Sequence, residues 1–113
     1  MAQSNDSEFK RFSNLVSQMN NEIFTVVDVR RDDPQTVHVD IRFHSPPEEA
    51  EKLLDHPRQR VRIVTSLAED EGPVYESPAL EVFEFVATNG INESTCIGTA
   101  QDGALLINAR NHF

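Results

Sequence analysis

The chain has 113 residues, 38% of them hydrophobic and 26% charged, with a formal net charge of −9 at pH 7. That length suits one domain able to bury a core without a disulfide or metal staple, and a single cysteine, Cys96, excludes an internal disulfide or a multi-cysteine zinc site. The acidic balance argues against direct nucleic-acid binding and against anionic membranes, because both reward a basic face.

The opening stretch MAQSNDSEFKRF lacks the basic-then-apolar order of a secretory signal. No apolar run reaches the roughly 20 residues of a bilayer span. A cytoplasmic protein is therefore expected, with residues 1–6 as a flexible lead. A helix follows, capped by Asp6 or Ser7, in which Phe9, Phe12, Leu15, Val16 and Met19 recur at spacings of three and four. That stripe is expected to pack on a sheet. The rival reading is a helix docked in a partner's groove.

Two strands come next. Ile23, Thr25, Val27 and Val29 form the expected inner face of the first. In the second, Val37, Val39, Ile41 and Phe43 alternate strictly with His38, Asp40, Arg42 and His44. Period-two alternation with β-branched residues on one side describes a half-buried antiparallel hairpin, and RDDPQ supplies its loop. The stretch HSPPEEAEKLLDHP then reads as a helix of about ten residues that Pro57 stops. Ser45 and Glu48 have capping-box spacing, acidic residues lead, and Ala50, Leu53 and Leu54 are its buried contacts.

Beyond Pro57 the expectation is β structure throughout. Val61, Ile63, Thr65 and Leu67 alternate with Arg60, Arg62, Val64 and Ser66, which places the two arginines on the solvent side. The loop at 68–78 is the longest in the chain and the candidate functional loop. ALEVFEFVAT reads as a central strand interrupted by Glu81 and Glu84, which would point to opposite faces. Asn89-Gly90 is the hairpin signal that returns the chain through INESTCIGT, and AQDG turns it into ALLINAR. The result is a three-strand antiparallel meander. The expected fold is a single α+β domain over residues 1–113, in the order α-β-β-α-β-β-β-β, with two helices on a mostly antiparallel sheet. Short connections argue against parallel pairs, and the last strand is placed at a sheet edge.

Tests for chemistry give little. Gly72, Gly90, Gly98 and Gly103 form no phosphate-binding pattern, and Ser66, Ser77 and Ser94 sit in no nucleophile elbow. His38, Asp40 and His44 share a strand face, but His38 and His44 lie roughly 20 Å apart at strand rise, too far for one ion. His38 with Asp28 or Asp40 would make a general-base pair. No cofactor, metal or catalytic residue is assigned, and the chain reads as non-enzymatic.

Charge layout carries more information. Nine of the ten Lys and Arg residues lie between Lys10 and Arg62, and none lies between residues 63 and 109. That second region holds Glu69, Asp70, Glu71, Glu76, Glu81, Glu84, Glu93 and Asp102, uncompensated within its own sequence. The expected function is a small acidic interaction module that binds or inhibits a basic-surfaced protein, nucleic-acid-binding proteins among them. Its contact would comprise Glu69, Asp70, Glu71, Tyr75, Glu76, Glu81 and Glu84. Alternatives are a structural subunit of an assembly or virus particle, a homo-oligomer joined at a sheet edge, and, with least support, a small enzyme or ligand binder.

Overall fold

Strict alternation makes the run from Thr36 to Phe43 the best-marked strand of the chain. In the computed structural model its inner residues Val37, Val39, Ile41 and Phe43 are all buried. The structure describes residues 2–19, 21–67 and 78–109. Along these run α1 (Ala2–Ser17), β1 (Phe24–Asp33), β2 (Thr36–Phe43), α2 (Glu48–Leu53) and β3 (Arg60–Ser66). They are followed by α3 (Pro78–Phe85), a π-helical turn (Val86–Gly90), β4 (Cys96–Thr99) and β5 (Leu105–Asn108). The five strands form one sheet in the order β1-β2-β3-β5-β4. Every neighbouring pair is antiparallel except β3 and β5, which run parallel.

The fold class is α+β with a mostly antiparallel sheet, as expected, but three helices replace two. ALEVFEFVAT is a helix and π turn, not a strand. Its buried residues Ala79, Val82, Phe83, Val86 and Ala87 recur at three and four, the helical period. A run of mostly apolar residues satisfies both a covered strand and a buried helix, and here the 3.6-residue period wins. Asn89-Gly90 ends the π turn instead of making a hairpin. The meander is thus replaced by a crossover. Chain passing through α3 lets β5 lie parallel beside β3, which the short-connection reading had argued against. β5 is interior to the sheet, and β1 and β4 are its edges.

The first hairpin forms with Val29 opposite Val39 and Phe24 opposite Phe43. A register shift between Val26 and Asp28 alters the expected inner face. An extra residue at a bulge reverses the side-chain phase, so Phe24, Val26 and Val29 turn inward while Val27 is exposed. α1 begins at Ala2, ahead of the expected caps at Asp6 or Ser7. Its stripe packs on the core as expected: Phe12 and Val16 are fully buried, with Phe9, Leu15 and Met19 around them. Arg31 of β1 stacks over the Phe9 ring at 5.5 Å.

α2 has six residues rather than about ten, starts after Pro47, and has no side-chain cap, so the Ser45–Glu48 capping box does not form. Ala50 is its fully buried contact. One core cluster joins the inner sheet face to residues of all three helices, and Phe24 makes edge-on contacts with Phe43 and with Phe83 of α3. The opposite sheet face carries the polar set of β2 and β3.

Candidate functional site

Antiparallel pairing of β2 with β3 sets Asp40 directly opposite Arg62 on the outer sheet face. Arg62 donates from Nε to Asp40 Oδ1 at 2.6 Å and from Nη2 to Asp40 Oδ2 at 3.0 Å. The same Nη2 reaches Asp102 Oδ2 in the β4–β5 turn at 2.5 Å. Arg60 adds Nη1 to Asp40 Oδ2 at 3.3 Å and Nη2 to Asp102 Oδ2 at 3.2 Å. Gln59 donates to the Gly103 carbonyl, and Gly103 itself, at φ 92°, closes the turn in a conformation that a side chain would strain. The network therefore ties the β4–β5 hairpin to the start of β3.

Asp40 and Arg62 are both buried, contrary to the expected solvated face. Their bidentate pairing satisfies what burial would otherwise penalise. Hydrogen bonding to Asp40, opposed by burial and reinforced by Asp102, holds the Arg62 guanidinium more firmly in its charged form. The hydrogen bond from Arg62 lowers the Asp102 carboxyl from 3.8 to about 2. Asp102 is thus compensated by arginines from the other half of the sequence, so the acidic half is not wholly uncompensated.

The expected His38–Asp40 partnership does not form, because Arg62 and Arg60 occupy the Asp40 carboxylate. His38 lies 3.9 Å from Asp32 instead. Burial holds its imidazole below the ordinary 6.5, opposed by Asp32 and reinforced by Arg30 and Arg62. His44 meets the Thr25 hydroxyl. Ser94 donates to Asn92 Oδ1 at 2.5 Å in a local turn. Among the described residues no three metal-ligating side chains converge.

Glu81 and Glu84 do not point to opposite faces. On α3 they are one turn apart, both exposed, and share the outer side with Phe85 and Thr88. Phe85 is 41% exposed, whereas Phe83, two residues earlier, is fully buried. The π turn begins immediately after Phe85, and the Thr88 hydroxyl donates to the Glu84 carbonyl at 2.8 Å. Among the described residues neither glutamate has an ion-pair partner. Glu69, Asp70, Glu71, Tyr75 and Glu76 lie outside the described residues.

Two open depressions flank α2. One of about 260 Å³ is lined by Pro46, Glu51, Leu54, Asp55, His56 and Pro57. The other, about 360 Å³, lies between α2 residues Glu49 and Lys52 and the loop carrying Glu93 and Ser94. Neither lies beside Glu81 and Glu84. The Asp40–Arg62–Asp102 network was missed by sequence reasoning, although its signal was present: both buried partners stood on the polar faces of strands expected to pair. Among the described residues no helix is long and apolar enough to cross a membrane. Comparison of the chain with protein-family models, curated proteins and solved structures returns no match.

Proposed function

We propose that the protein is a small acidic interaction module that binds, and thereby restrains, a basic-surfaced protein, with no catalytic step of its own. The observation that carries this reading is the charge left over after folding. Residues 63–109 contain no Lys or Arg, and of their acids only Asp102 is drawn into pairing with Arg60 and Arg62. Glu81, Glu84 and Glu93 stand exposed. An acidic face of this kind steers a basic partner and selects against anionic surfaces more than it adds affinity.

The side chains that acid–base chemistry would need are engaged elsewhere. Asp40 serves two arginines, and Ser94 serves a turn. The test compares the natural chain with a variant carrying glutamine or asparagine at Glu69, Asp70, Glu71, Glu76, Glu81 and Glu84. Both are immobilised and exposed to the cation-exchanger-bound proteins of the source cell at low and high salt. Capture that fades with salt and with neutralisation is expected. Capture indifferent to both overturns the reading.

A further inference from the structure

We infer that the outer face of α3 is a docking element for a basic protein groove, with Phe85 as its apolar anchor and Glu81 and Glu84 as its charged rim. This rests on the acidic-module reading and adds the site and the partner's surface chemistry. A helix on a sheet buries one stripe and solvates the other. α3 obeys this on its inner side through Ala79, Val82, Phe83 and Val86. On its outer side Glu81, Glu84 and Thr88 follow the rule, and Phe85 breaks it. Glu81 and Phe85 are four residues apart and Glu84 is adjacent, so one glutamate lies a turn below the ring and the other beside it.

The backbone marks the same spot. Five residues of π helix start directly after Phe85, a rare local geometry that recurs at functional sites. Charge complementarity decides the occupant. Neither glutamate is paired among the described residues, and no Lys or Arg stands within residues 63–109 to neutralise them. A nucleic acid or anionic membrane would be repelled, while a groove rimmed by Lys or Arg with an apolar floor would meet both the ring and the carboxylates.

Two synthetic probes of equal charge separate ring from rim: a peptide alternating Arg and Leu, and an oligolysine without apolar residues. Each is titrated into the full ¹⁵N-labelled chain. Backbone shifts centred on Glu81, Glu84, Phe85 and Thr88 are expected. Phe85→Ala should weaken the Arg/Leu probe by about tenfold or more while leaving oligolysine unchanged. A Glu81→Gln/Glu84→Gln variant should flatten the salt dependence for both probes.

Shifts centred elsewhere, or equal binding of Phe85→Ala and the natural chain, overturn the α3 assignment and leave the acidic-module reading standing. Failure of both probes to bind at low salt overturns the two together. Concentration-dependent association in sedimentation that Phe85→Ala abolishes would assign the face to a second copy of the chain, and overturns the basic groove.

Discussion

Arg62 and Asp40 sit directly opposite each other on β3 and β2, joined by two hydrogen bonds of 2.6 and 3.0 Å and almost wholly removed from solvent. Taking one charge away from such a pair strands the other. Arg62→Met is expected to cost about 3 kcal/mol in urea unfolding, at the low end for a broken buried pair. Arg60 softens the loss because it stays within 3.3 Å of Asp40. Replacing both partners, as Asp40→Leu with Arg62→Met, should cost less than Arg62→Met alone. A double variant less stable than the single one would show that the charges themselves are needed.

Asp102 makes part of this network dependent on acid. Its carboxyl titrates near 2 in the folded protein against 3.8 in the unfolded chain. Its contribution is therefore complete above the unfolded value and disappears as pH falls through the folded one. The stability gap between the natural chain and Asp102→Asn should be constant near neutrality and close between about pH 4 and 2. Thermal melts across that range provide the check, and a gap that persists at the acid end would contradict the assignment.

His38 acts in a higher window. Burial lowers its proton affinity relative to the unfolded 6.5. The unfolded chain thus binds the proton first, and stability falls as pH drops below about 6.5. His38→Gln should flatten the stability profile just below that point. An NMR titration of the imidazole should place its midpoint under the ordinary value; a midpoint above it would reverse the sign.

Phe83 and Phe85 provide a direct test of the helix. On a strand, residues two apart share a face, and truncating either would cost a similar amount. On α3 they diverge: Phe83 is fully buried against Phe24, and Phe85 faces out. Phe83→Ala should cost about 3–5 kcal/mol, and Phe85→Ala about 0.5 kcal/mol or less. Chemical denaturation of the two variants side by side distinguishes the cases, since equal losses would restore the strand.

The elements legible from sequence were those whose apolar pattern fits only one period. The α1 stripe of Phe12 and Val16, the alternation of Val37 to Phe43, and the AQDG turn all belong to this group. Residues 78–87 were not legible because apolar side chains at most positions hide the period, and Asn89-Gly90 carried a hairpin signal into a π turn. That one ambiguity propagated: reading α3 as a strand hid the crossover, which in turn placed β5 at an edge. The bulge near Val27 is invisible to alternation, since an extra residue changes phase without changing composition. For the candidate site, position on the chain identified Glu81 and Glu84 as exceptions to an apolar run. Only the helix brings them to one side with Phe85.

The parallel pairing of β5 with β3 also sets an order of assembly. Val61 meets Leu105 across more than forty residues of chain, whereas β1 and β2 meet through a tight turn at Pro34 and Gln35. Local contacts form early and distant ones must first offset a large loop-closure entropy. During synthesis β3 therefore emerges and pairs with β2 long before its second neighbour exists. Until residues 105–108 arrive, Val61, Ile63 and Val64 lie along an open strand edge, the geometry through which nascent chains pair with one another. A protein built this way depends on its last strand to shield its middle, and its yield on folding should fall as chains are made closer together.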